Sequence, residues 1–472
     1  MEDNLHNAVI AANRFGLGAR PDELEEIAHD PKEWVLAQLE QPAPLIDSLE
    51  GLDSSPDYLS RFAEFRQERR SSRQQAKQGE DSNLPRFPER FYSDVFAEVQ
   101  LRGVQQCTTD TPVHERLVML WSNHFTVSGE TQRVRLLAGA FEREAIRPNV
   151  CEDFSTLLLG AEQHPAMLLY LDNEASIGPG SNMGRAHNQR VEQGKGRKVG
   201  INENLAREIM ELHTLSVHGD YRQQDVIELA RALTGWRTRL QVENNAATQE
   251  LSPWGSVFQQ GTHEPGNREL LGETFDQQGL AQGRHMLRFL ADQPATARFV
   301  ATKLARHYVA DDPPEVLVED LARSFVRNKG QLLAVYRELF THELAWQSET
   351  RKFRRPDEYL IALHRALSTV PAEEGNRWRS EVHLLGQTPF IPGTPEGWGD
   401  TADDWVGTDA LWKRLEIAQR YAYQLDSPPD PMSLAQNSLG PQLREATQQA
   451  IAQSNLRQAT AILLASPEFQ WR

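Results

Sequence analysis

Two carboxylates one helical turn apart, Glu208 and Glu211, precede the imidazole His213 in GINENLAREIMELHTLSVHGDY, residues 200–221. Leu205, Ile209, Leu212 and Leu215 recur at helical spacing and predict one apolar face. Asn204, Glu208 and Glu211, spaced by four and three, share the adjacent stripe with Arg207 beside them. Such a stripe can do two kinds of chemistry. Glu208, Glu211 and His213 can ligate a divalent metal ion, or the two carboxylates can serve as the acid and base of a proton transfer. The order Glu-x-x-Glu-x-His differs from the Glu-x-x-His of di-metal bundles. A competing reading makes the same residues a salt-bridged helix surface, because Glu203–Arg207 and Arg207–Glu211 are each four apart.

Other polar groups stand where helices end. His124 closes the apolar run of ERLVMLWSNHF, and Asp172 and Asn173 end HPAMLLYLDN. His263 falls in the glycine- and proline-bounded GTHEPG. The segment 176–200 carries Arg185, Arg190, Lys195, Arg197 and Lys198 against one acid, Glu192, and reads as a flexible basic loop. It feeds the start of the Glu208 helix, where an anion is favoured. These groups assemble into one expected site. Glu208, Glu211, His124 and Asp172 would carry the chemistry. Asn173, Asn204, Arg207, Lys195, Arg197 and His263 would bind substrate. Each has a plainer alternative: a hydrogen-bonded core histidine for His124, turn formation for Asp172, Asn173 and His263, and a solvated surface loop for the basic segment.

The elements that must position these groups are mostly helices. Val113, Leu117, Leu120 and Trp121 form one buried stripe, and residues 154–173 form another apolar stretch. The expected fold class is mainly α, a large multi-helix globular bundle with a small antiparallel β insertion around 235–276, where alternating segments are bounded by Gly, Asn and Pro. Residues 1–46 supply N-terminal helices of the main domain. Residues 47–90, charged and glutamine-rich, read as a solvated helix followed by a loose connection, a variable linker or insertion. The helical core spans 91–234 and contains the basic loop 176–200. Residues 277–472 are the C-terminal helical part of the same domain. The 472 residues carry a net charge of −17, which argues against bulk binding to nucleic acid or an anionic membrane face. Two isolated cysteines exclude a disulfide framework. No run approaches the roughly 18 apolar residues of a membrane span.

Taken in order, RFGLGARPDEL, ERLVMLWSNHFTVS, AFEREAIRPN, HPAMLLYLDN, NENLAREIMELHTL, DVIELARALTGW, HEPG, ATKLARHYVADDPP and PEGWGDTADDW resemble the bacterial DUF1800 family from about Ala11 to the C-terminus. The resemblance implies a large helical protein, frequently encoded beside a sulfatase-like partner family. Many relatives carry an export signal, whereas this sequence begins almost directly at the domain. The expectation is therefore the cytoplasm, with export alongside a signal-bearing partner as the alternative. The resemblance itself implies no activity. From the residues, the leading expectation is a metal-assisted hydrolase acting on a phosphate, sulfate or glycan substrate, with a divalent ion and no nucleotide or organic cofactor. The alternative is a non-catalytic assembly partner or chaperone-like companion of a sulfatase-like protein, docking through the tryptophan-rich 395–405 loop.

Overall fold

The computed structural model describes residues 2–78, 89–195, 198–241, 248–348 and 351–472. Among these the chain is mainly α, with five short strands in two small antiparallel sheets. The Pro112–His124 helix shows how sequence becomes element. Proline opens it where a missing N–H costs nothing, and Val113, Leu117, Val118 and Trp121 are each at most 1% exposed. Both sheets lie between residues 236 and 275, as the alternation predicts. Trp236–Thr238 and Gln249–Ser252 flank Ser256–Phe258, with Arg237 opposite Val257. Arg268–Leu270 and Glu273–Phe275 pair as a hairpin whose two connecting residues, Leu271 and Gly272, both have positive φ, the twist that suits a tight antiparallel turn.

Apolar side chains gather into two main clusters. One is built from the N-terminal helix, residues 113–171 and residues 205–346; the other from the Glu89–Thr108 helix and residues 359–469. The Pro112–His124 helix serves both, Leu117 and Val118 in the first and Met119 in the second. Where the clusters meet, the chain buries charge: Arg116, Arg354, Arg365 and Glu358 are each at most 2% exposed. Buried charges need partners: Arg116 pairs with Glu358, Arg365 with Glu23, and Arg354 donates to Asn13 Oδ1 and the Phe469 carbonyl. In the second cluster Gly103 lies against the Trp378 indole, and a Cβ there would sit 2.5 Å from the ring. Gly103→Ala is expected to cost about 1–3 kcal/mol through overpacking, read as a lowered urea midpoint.

Two polar segments contain helices, the first expected and the second not. The 47–90 stretch contains a 23-residue helix, Ser55–Lys77, opened by a Ser54–Asp57 capping box and anchored by buried Tyr58, Leu59, Phe62 and Phe65. Within 176–200, expected as a flexible loop, Asn182–Glu192 is helical. Ser181 caps it, its Oγ accepting from the Gly184 amide at 3.0 Å, which supplies the start signal that an apolar period does not. No helix among the described residues is long and apolar enough to cross a membrane.

Candidate functional site

The Glu208 helix changes register midway. Asn204–Glu208 is α-helical, Ile209–His213 is a π turn, and the Thr214 hydroxyl caps the Ile209 carbonyl at 2.6 Å. One inserted residue rotates the downstream positions by about a hundred degrees. His213 thereby takes the buried position beside Leu205 and Ile209, and Leu212 turns outward to line a cleft. The salt-bridged surface is also present. The Arg207 guanidinium meets Glu203 Oε2 at 3.1 Å, Glu211 Oε1 at 3.2 Å and Gln223 Oε1 at 3.0 Å. Burial raises the Glu208 carboxyl above its ordinary value, partly opposed by His213.

His213 meets an acid that sequence reasoning did not single out. Its Nδ1 lies 2.7 Å from Oε1 of Glu162, the last residue of the Phe154–Glu162 helix, and the two side chains are 1% and 0% exposed. The approach is close but lacks the alignment of a hydrogen bond. An acid ending the otherwise apolar FSTLLLGAE was the available signal. His124 connects to the same group. Its Nε2–H donates to the His213 carbonyl at 3.2 Å, so Nδ1 carries the lone pair, and this buried nitrogen has no partner. Burial, then His213 and Lys303, push the His124 imidazole well below its ordinary pKa.

On its other side His124 lines a cleft of about 420 Å³ between the end of its own helix, the Pro294–Tyr308 helix and the 394–404 loop. The loop is fastened by Asn123, whose Nδ2 donates to the Trp398 carbonyl at 2.9 Å and whose Oδ1 accepts from the Trp398 amide at 2.8 Å. Gly397 permits this clasp: its φ is +87°, and a Cβ would lie 2.5 Å from the Asn123 carbonyl oxygen. Lys303, Arg306 and His307 enter from the Pro294–Tyr308 helix. His307 Nδ1 is 3.4 Å from Asp400 Oδ1, and His307 Nε2 is buried without a hydrogen-bond partner. Burial pushes the His307 imidazole down to about 4, with Asp400 opposing and Arg472 and Arg355 adding to the fall. Burial alone would raise the Asp400 carboxyl, but His307, Lys352 and Arg355 hold it well below the usual range. The Lys303 ammonium lies 5.4 Å from the Phe299 ring centre, and burial lowers its pKa, with Asp400 and Glu396 opposing.

The structure therefore brings His124 and His213 together, with Glu208 close enough to be influenced by His213. Other expected residues lie elsewhere. Asp172 is exposed in a left-handed turn, its carbonyl accepting from Asn202 Nδ2 at 3.3 Å. Asn173 is buried and donates to the carbonyls of Leu233 and Trp236 at 3.2 and 3.0 Å, tying its turn to the first strand. Asn204 is exposed, its amide capped by Asn202 Oδ1 at 2.9 Å. His263 is buried and donates from Nδ1 to the Thr234 carbonyl at 2.9 Å. Lys195 is exposed, and Arg197 lies outside the described residues. Glu211 faces Arg207 while His213 faces Glu162. Among the described residues no group of three or more His, Cys, Asp or Glu is gathered to hold a metal ion.

The missed components share one difficulty. His307 with Asp400, and His213 with Glu162, are pairs made across 93 and 51 positions of chain, beyond any local spacing rule. No curated protein and no solved structure matches the chain. The family described as Protein of unknown function (DUF1800) matches residues 10–471. Nearly the whole chain, clefts and polar pairs included, is thus family territory, and the protein belongs to the DUF1800 family.

Proposed function

We propose that the protein is a hydrolase acting on an anionic substrate in the cleft between the Pro112–His124 helix, the Pro294–Tyr308 helix and the 394–404 loop. One observation carries this reading: an imidazole backed by a carboxylate, His307 with Asp400, shares a cleft with Lys303 and Arg306. Asp400 holds the proton on His307 Nδ1 and leaves Nε2 as the acceptor, the orientation a general base requires. At neutral pH an imidazole with its pKa near 4 is unprotonated and ready to accept. It takes a proton from water as the water oxygen bonds to the phosphorus, sulfur or carbon centre. The leaving oxygen departs with a proton from Lys303, whose desolvated ammonium gives it up more readily than an exposed lysine. Arg306 counters the negative charge of the substrate. His124 Nδ1 supplies a second acceptor on the same wall.

The test is a panel of chromogenic aryl phosphate, sulfate and glycoside esters. Turnover of at least one anionic ester is expected. His307→Gln should lower kcat/KM by about 100-fold or more without changing the melting temperature, while the surface control Arg323→Gln keeps full activity. Elemental analysis of the same preparations separates a metal-activated water from an imidazole-activated one. Retained activity in His307→Gln, or no turnover of any anionic ester, would overturn the proposal.

A further inference from the structure

The cleft holding His307 does not stop at Lys303. It continues into a second one of about 590 Å³, and Lys303, Arg306 and Glu396 line both. The Pro294–Tyr308 helix runs along this passage. Positions 298, 302, 303 and 306 fall on one side of a helix, so Arg298, Thr302, Lys303 and Arg306 follow one another over roughly 12 Å of axis. Leu212, Leu215 and Val217 line the same passage with apolar surface, Val217 being 59% exposed. At the far end stands the half-buried Trp398 indole.

The charges in this groove are mixed in a way that selects the ligand. Arg298, Lys303 and Arg306 can each hold an anion. The Arg298 ion pair with Glu315 is exposed on both sides, so little is lost when a ligand anion replaces it. Glu211 and Glu396 line the groove too, and their carboxylates are hydrogen-bond acceptors. A ligand must therefore present repeated anions, hydroxyl donors and apolar faces together. An acidic sugar chain does so: its substituents meet the cations, its hydroxyls the carboxylates, its ring faces Trp398 and the aliphatic wall. Nucleic acid is disfavoured, because carboxylates inside the groove and a net charge of −17 oppose a dense line of phosphates.

We infer that the two clefts form one groove for an extended acidic oligosaccharide, lying along Arg298, Lys303 and Arg306 with the reacting unit beside His307. Only the placement of the reacting unit rests on the hydrolase reading. Titration calorimetry on the full chain tests it with three probes: a heparin-derived sulfated hexasaccharide, a sulfated disaccharide of the same source, and neutral maltohexaose. The sulfated hexasaccharide should bind about tenfold or more tighter than the disaccharide, because extra units reach extra subsites, and maltohexaose should not bind. His307→Gln should keep this preference. The double variant Arg298→Ala, Lys303→Ala should abolish it while circular dichroism shows an unchanged fold. Equal affinity for the two sulfated probes, no binding of either, or a preference that survives the double variant would overturn the groove. Length-dependent binding without ester turnover would retire the hydrolase reading and leave the groove standing; turnover without length-dependent binding would do the reverse.

Discussion

Replacing Glu358 by glutamine is expected to lower the free energy of unfolding by about 3–5 kcal/mol, the cost of stripping a buried ion pair of one partner. Glu358 is 1% exposed at the seam between the two apolar clusters. Its carboxylate accepts from Arg116 Nη1 at 2.6 Å, from Arg472 Nε and Nη2 at 3.2 and 3.1 Å, and from the Arg355 amide at 3.1 Å. Burial alone would raise this carboxyl, but Arg472, Arg116 and Arg355 hold it well below its ordinary range. Glutamine keeps the shape and removes the charge, leaving two buried guanidiniums to face each other. The damage should reach the cleft, because Arg472 Nη2 also donates to the His307 carbonyl at 2.9 Å. Urea denaturation measures the loss. Glu211→Gln, which weakens a partly exposed i,i+4 pair and keeps an acceptor for the Tyr221 hydroxyl, should cost less than about 0.5 kcal/mol. A Glu358→Gln protein within about 1 kcal/mol of the parent would mean the seam tolerates lone guanidiniums and is not specified by this carboxylate.

That contrast marks how much could be read from sequence. Helices with a repeated apolar face, such as Pro112–His124, declare themselves because burial imposes the period. The strands between 236 and 275 declare themselves through turn residues and alternation. The i,i+4 ladder Glu203–Arg207–Glu211 is local and was visible as one of two readings. The π turn was not, since one extra residue in a helix leaves the apolar count intact and changes only which residue, Leu212 or His213, faces inward. Asp172 and Asn173 looked functional because turn-forming residues and site residues are drawn from the same polar types; in the structure one occupies a left-handed turn and the other binds two carbonyls. The residues that make the cleft distinctive come from three distant segments. Lys303 and His307, one turn apart on a helix, were within reach of a pattern argument. Asp400, which gives His307 its orientation, was not, since only the folded chain brings the 394–404 loop to that helix.

The same buried imidazoles predict a steep acid weakness. Burial pushes His307 and His364 each down to about 4 from an ordinary 6.5, and they are 1% and 4% exposed. In the unfolded chain both take up a proton near pH 6.5; in the folded protein they do so only near pH 4. Between those values the unfolded state binds more protons, so stability is fully present above about pH 6.5 and is lost as pH falls through the interval. At pH 5 each histidine should cost about 2 kcal/mol, since each pKa unit is worth about 1.4 kcal/mol. Against a usual total of about 5–15 kcal/mol, two such groups matter. Asp400 does not offset them, because its carboxyl stays ionised throughout this window. Urea midpoints at pH 7, 6 and 5 should fall progressively, and His364→Gln should remove about 2 kcal/mol of the loss between pH 7 and pH 5. Equal midpoints at pH 7 and pH 5 would mean these imidazoles reach solvent in the folded state. The consequence for function is specific. If His307 is the proposed base, it accepts its proton only near pH 4, and kcat/KM should hold at pH 5 while stability is already falling. On the proposed hydrolase reading, acid should therefore inactivate the protein first by unfolding it, and only at lower pH by protonating His307.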